Sequence, residues 1–141
     1  MGFTERTQGK GIPSFGWAPQ LEILAHPSIG GSLFHSGWGS IIETLQHGHS
    51  LVVLPFIIDQ GLNAKQLAAK GLAIEVERNE DESFTREGVA KALRHAMVEE
   101  EGKGIRVGAR KVAAVFGDRK LHQEHYISKF AVYLRNESTD K

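Results

Sequence analysis

The run Leu51-Val52-Val53-Leu54, stopped at once by Pro55, constrains the fold more than any other stretch of this chain. Successive side chains of a strand point to opposite faces, so a strand that is apolar at every position has to be covered on both. A parallel strand between two layers of helix meets that demand. The neighbouring segments supply the layers. Ile29 to His35 reads as another strand, with Gly30-Gly31 permitting a bend or a close approach of backbone. Ser40 to about Gln46 reads as a helix turning Ile41, Ile42 and Leu45 to the sheet, with Gly48 at the C-terminal cap. Asn63 to Lys70 predicts a helix closed by Gly71, and Leu72 to Val76 a further strand. Upstream, Ile12 to Phe15 predicts a short strand, confined by Pro13 to a beginning or an edge, and Gln20 to Ala25 a short helix ended by His26-Pro27. Strand and helix alternate through Gly71, so the expected fold class is α/β: a parallel sheet with right-handed crossovers and helices on both faces. A chain of 141 residues has room for one domain with a real core.

The remainder predicts helices. Thr85 suits an N-cap, and Val89, Ala92, Leu93, Ala96 and Met97 recur at helical spacing behind it. After a break at Gly102-Lys103-Gly104, Ile105, Ala109, Val112 and Phe116 share one helical face. Tyr126, Phe130, Tyr133 and Leu134 mark a last helix whose aromatic stripe is core by default, with part of it left uncovered where such a helix crosses toward a partner domain. Residues 1–11 read as a loop or frayed end, and 136–141 as a disordered tail.

In such sheets ligands bind outside the carboxyl ends of the strands. There, His35-Ser36-Gly37-Trp38-Gly39-Ser40 joins an apolar strand directly to an amphipathic helix. Unpaired N–H groups and the positive end of a helix dipole converge at that junction, which attracts phosphate. Glu43, one turn further, has the reach of a sugar hydroxyl pair; Trp17 offers a flat π-surface after the first expected strand, and Asp59-Gln60 follow the third. Phosphate, sugar and base together point to a nucleotide. Taken singly, Trp17 is more often a packed or interfacial aromatic and His35 usually a core histidine, while Glu43 also fits a solvated carboxylate and Asp59 a helix cap. Seventeen basic residues balance seventeen acidic ones, so no overall field recruits nucleic acid or an anionic membrane. Cysteine is absent, which removes disulfides and thiolate chemistry; His26, His47, His49, His95, His122 and His125 share no metal-ligand spacing, so no metal is expected. No apolar run approaches a membrane span and the start has no signal core, so the chain reads as cytoplasmic.

Trp17-Ala18-Pro19-Gln20, Ile23-Leu24, His26, His35, Gly37-Trp38, Ser40, Glu43, Gly48, Pro55 and Asp59-Gln60 resemble, without a gap, the signature box of plant UDP-sugar-dependent glycosyltransferases. Gly48-His49 and the sequence after it resemble the branch that adds a sugar to a sugar already on a flavonoid or terpenoid. The resemblance covers nearly the whole chain. It implies that residues 1–141 are the C-terminal, UDP-sugar donor-binding half of a two-domain GT-B fold of facing Rossmann-like halves. It further implies that Trp17 stacks on uracil, Ala18 meets the base edge with its backbone, and Gln20 lies near the ribose whose hydroxyls Glu43 binds. His35, Ser40 and the N–H groups of the Gly37 and Gly39 loop take the diphosphate, while Trp38, Asp59 and Gln60 contact the hexose, more often glucose than galactose. The UDP-sugar is then a substrate, and no cofactor is implied.

Gly39 stands where the family usually has asparagine, removing one amide donor worth about 0.5–1.5 kcal/mol net. Ser50 replaces a usual proline and Ser36 a common cysteine. The family's acceptor domain, with its general-base histidine and acidic partner, and the opening strand and loop of the donor half would precede Met1. No catalytic residue is therefore expected within the chain, the small-molecule acceptor would bind through the missing domain, and the uncovered edge at Ile12 to Phe15 would invite self-association. A non-catalytic nucleotide- or partner-binding module and a UDP-sugar epimerase of related fold are the rival readings.

Overall fold

A computed structural model describes residues 2–139. In chain order these form α1 (Phe3–Thr7), α2 (Gln20–Ala25), β1 (Gly31–Phe34), α3 (Trp38–Leu45), β2 (Ser50–Val53), α4 (Gln60–Ala69), β3 (Ala73–Glu75), α5 (Arg86–Met97), a 3₁₀ turn (Glu100–Gly102), α6 (Lys103–Phe116), α7 (Arg119–Leu121), a π turn (His122–Ile127) and α8 (Ser128–Thr139). The three strands are parallel in the order β1-β2-β3, with Gly31 opposite Ser50, and Leu51 opposite Ala73.

β2 is central and buried at all four positions, as its unbroken apolar run requires. On one face Leu51 and Val53 pack with Ile41 and Leu45 of α3 and Ala64 and Leu67 of α4, while Val112 and Phe116 of α6 close the layer. On the other, Val52 and Leu54 meet Val76 and the alanines Ala92 and Ala96 of α5. Helices thus cover both faces, as expected. Small residues on α5 bring its axis close to the sheet, and Thr85 starts it by accepting a 2.9 Å hydrogen bond from Gly88 N–H. At its other end Arg106 donates to Ala96 O (3.1 Å) and Glu99 O (2.9 Å), which ties α6 to α5. Gly102 makes this approach possible: a Cβ there would fall 1.8 Å from His95 O.

Several expectations are corrected. Ile12 to Phe15 is not a strand: the stretch runs irregularly along the surface, with Ile12 97% and Phe15 83% exposed. A strand needs a partner's hydrogen bonds, and among the described residues none lies beside it, so the sheet there has three strands, with β1 and β3 at its two edges. The expected loop at 1–11 contains α1, whose N-cap Gly2 donates its N–H to Glu5 Oε2 at 2.9 Å. Ile42 points outward while Ile41 and Leu45 face the core. The default reading of the last helix's aromatic stripe as core gives way to the uncovered alternative, since Tyr126, Phe130, Tyr133 and Leu134 are all more than half exposed. α8 runs through the tail to Thr139; the rest of the expected tail, 140–141, lies outside the described residues.

Candidate functional site

Parallel strands bring the His35–Ser40 turn and the 55–60 loop to the same edge of the sheet. The turn is built by its small residues. Gly37 is the N-cap of α3 in extended conformation, no side chain caps the helix, and the first helical bond is Ile41 N–H to Gly37 O at 3.1 Å. The N–H groups of Trp38, Gly39 and Ser40 are therefore left for a ligand, at the positive end of the helix dipole. The His35 imidazole folds over Gly37: a Cβ there would stand 2.5 Å from its Nε2. Nothing lies within 4 Å of where a Gly39 side chain would begin, so that position faces open space.

Ser36 sets the turn. It is fully buried, has φ 63°, and its hydroxyl lies 2.8 Å from Gln60 O and 2.5 Å from His35 O. A non-glycine residue in this left-handed region costs on the order of 1–3 kcal/mol and persists only where its surroundings hold it. The Asn63 amide supplies part of that hold, donating to Ser36 O at 3.1 Å and to Asp59 Oδ2 at 2.9 Å. Gln60 turns its Oε1 back on its own loop, accepting from Phe56 N–H at 2.9 Å and Ile57 N–H at 3.2 Å, which leaves its Nε2 amide for a ligand. Asp59 holds the N-cap position of α4 but bonds Asn63 rather than the backbone.

Trp17 stands 97% exposed in the irregular segment before α2, not at a strand end. At the end of that segment Gln20, the first residue of α2, ties α2 to α3: its Nε2 donates to Glu43 Oε2 at 2.6 Å. Trp17, Ala18, Gln20 and Glu43 thereby line one concavity of about 650 Å³ together with Gly16, Pro19, Leu21 and Glu22. Ser40 and Glu43 are three residues apart on α3 and share a side of it. The helix thus carries the phosphate-type turn at its start and a carboxylate one turn on, beside an aromatic platform. Trp38, half-exposed, occupies the first position of the helix.

The structure therefore gathers Trp17, Ala18, Gln20 and Glu43 around the concavity and places Asp59 and Gln60 in a hydrogen-bonded cluster with Ser36 and Asn63, while Trp38, Gly39 and Ser40 form the first turn of α3. Sequence reasoning passed over Ser36 and Asn63 as site-builders. Asn63 has a local signal, four residues after Asp59 at the start of a helix. Ser36 has none, because φ > 0 favours glycine or asparagine. Among the described residues no group of three or more His, Asp or Glu is placed to hold a metal, and no helix is long and apolar enough to cross a membrane.

The family model for UDP-glucoronosyl and UDP-glucosyl transferase matches residues 9–131. Soyasaponin III rhamnosyltransferase of Glycine max is 50% identical over 130 residues, which are 92% of this chain and 27% of that protein. Beta-D-glucosyl crocetin beta-1,6-glucosyltransferase of Gardenia jasminoides is 38% identical over 94% of this chain and 29% of its own length. The chain thus spans less than a third of the curated relatives it matches. Among solved structures, apo UGT2 of Phytolacca americana superposes with a TM-score of 0.82 at 26% identity over 94% of this chain and 30% of its own. Os79 from O. sativa, in complex with UDP and deoxynivalenol-3-glucoside, gives 0.76 at 27% identity over 81% and 26%. The expected GT-B donor-half fold is that of these structures. On the match over residues 9–131 and the identity of its relatives, the chain belongs to the UDP-glucoronosyl and UDP-glucosyl transferase family.

Proposed function

We propose that these residues form the donor-binding half of a cytosolic UDP-glycosyltransferase that moves a hexose from a UDP-sugar to a hydroxyl of a small-molecule acceptor, such as a flavonoid or terpenoid glycoside, without a metal. The observation that carries the reading is that Trp17 and Glu43, joined through Gln20, line a single concavity beside an uncapped helix start. Trp17 stacks on uracil, Ala18 meets its edge, and Gln20 orients the Glu43 carboxylate toward the ribose hydroxyls. His35, Ser40 and the N–H groups of α3 receive the diphosphate. Trp38, Asp59 and the Gln60 amide face the hexose.

The chemistry is a single displacement with inversion. A base outside these residues takes the acceptor proton, the acceptor oxygen bonds the anomeric carbon, and the bond from that carbon to the β-phosphate oxygen breaks. Negative charge then grows on the departing diphosphate, where the fixed N–H groups and dipole of α3 stabilise it. Names of relatives point to two sugars, rhamnose and glucose, so a donor panel on a protein that includes the acceptor domain decides the hexose.

Titration with UDP tests the site directly. Saturable changes in indole fluorescence and in NMR signals of residues 35–43 are expected, and flat titrations at millimolar UDP would sink the reading. A non-catalytic UDP-binding or partner-binding role is the alternative. Detectable transfer by the purified chain excludes it. The free edge of β1 is expected to make the isolated chain self-associate, read as concentration-dependent sedimentation.

A further inference from the structure

Three non-glycine residues among those described have left-handed backbone: Ser36 (φ 63°), Ile58 (φ 55°) and Glu82 (φ 66°). All three belong to the carboxyl-edge loops, and for β-branched Ile58 the conformation is a genuine outlier. Such geometry survives only where neighbours over-determine it. Ser36 is held by Gln60 and Asn63 as described. The main chain leading to Ile58 and the turn at Glu82 share one tie, Arg78, just beyond β3, while Glu82 N–H also bonds Asn79 O at 3.1 Å.

Its guanidinium donates through Nη2 to Pro55 O and through Nη1 to Glu82 O. It also lies over two rings, 5.3 Å from the Phe56 centroid and 5.7 Å from that of Phe84, and the rings meet edge-to-face at 6.1 Å. One planar cation therefore joins both ends of the problem: the main chain entering the 55–60 loop and the turn at Glu82. Other ties of the loop include the Gln60 Oε1 bonds to Phe56 and Ile57 N–H, the Ser36 hydroxyl on Gln60 O and the Asn63 amide on Asp59. Each tie fixes the backbone that carries Asp59 and Gln60; none touches the concavity of Trp17 and Glu43.

We propose that Arg78 is a specificity-determining positioning residue for the hexose of a UDP-sugar. Resting on the donor-site reading above, it locks the 55–60 main chain so that Asp59 and Gln60 meet the sugar, and it leaves the nucleotide contacts alone. A lysine cannot replace it, because a point ammonium neither forks between two carbonyls nor lies flat against two rings.

The test uses the chain with Arg78, Arg78→Gln and Arg78→Lys, titrated with UDP and separately with UDP-glucose, alongside amide hydrogen exchange without ligand. In both variants the ratio of the UDP-glucose to the UDP dissociation constant should rise roughly tenfold, the loss expected of one charge-assisted contact. Exchange at the Phe56 and Ile57 amides should quicken while the thermal midpoint stays near that of the parent. An unchanged ratio, an equal loss for both ligands, or recovery in Arg78→Lys overturns the assignment. Unchanged exchange with intact UDP binding shows that Arg78 does not hold the loop and leaves the donor site standing. Faster exchange in a chain that binds neither ligand instead removes the donor-site reading, and the hexose role with it.

Discussion

Replacing Trp17 by alanine separates a base platform from a structural aromatic, because the two roles carry opposite signatures. A tryptophan packed in a core loses about 3–5 kcal/mol of stability on truncation. In a chain of this size about 1 kcal/mol moves Tm by roughly 4 °C, so that loss would appear as a fall of about 12–20 °C. Trp17 is 97% exposed, belongs to neither core cluster and rims a concavity, so its removal should alter stability by no more than about 0.5 kcal/mol, or ~2 °C. Stacking on a base is worth about 1–3 kcal/mol, and UDP affinity should drop by ~5- to 150-fold. Thermal melting followed by circular dichroism and calorimetric titration with UDP measure the two quantities on the same preparations. A melting point lowered by ten degrees, or an unchanged UDP affinity, would refute the platform assignment.

Glu43→Ala should weaken UDP roughly tenfold but 2′-deoxy-UDP much less, since the lost contact is to a ribose hydroxyl; equal losses for the two nucleotides would place the carboxylate elsewhere. Gly39→Asn should be accommodated without strain, because nothing stands within 4 Å of its Cβ, and should tighten UDP-glucose binding by about 0.5–1.5 kcal/mol; no gain in affinity would mean that the usual asparagine acts through another part of the family's fold. His49 gives a pH dependence. Burial, and next the neighbouring His47, push its pKa below 6.5, and its Nδ1 is buried without a partner. The unfolded chain then binds the proton more readily than the folded one, so stability present above the unfolded pKa is lost as pH falls through about 6.5 toward the lower folded value. The thermal midpoint should decline over that window, and His49→Gln should flatten the decline; an unaltered slope would assign it to other groups.

The layering of the molecule was legible in Leu51 to Leu54 because strand geometry makes an unbroken apolar run a demand for cover on both faces, and α3, α4 and α5 bring the apolar positions that meet it. Thr85 and Gly102 likewise act where local chemistry places them. Ile12 to Phe15 misled, since β-propensity describes a segment and a strand is a pairing. The stripe from Tyr126 to Leu134 misled for a related reason: helical periodicity shows that a face exists but not what covers it, and here those residues stay exposed.

The identities of the residues proposed to face the nucleotide are read from the sequence alone, through short-range rules: a glycine-bounded strand-to-helix turn, a carboxylate one turn later, an aromatic before it. Their arrangement was decided by tertiary structure. The bond between Gln20 and Glu43 that closes the Trp17 concavity crosses 23 residues. Those from Ser36 to Gln60, from Asn63 to Ser36 and from Arg78 to Pro55 cross 24, 27 and 23. Hydrogen bonds over such separations leave no periodicity or local motif in a chain. They need the apolar burial around β2 to bring the loop ends together, and those at Ser36 hold an unfavourable backbone that no local preference would choose.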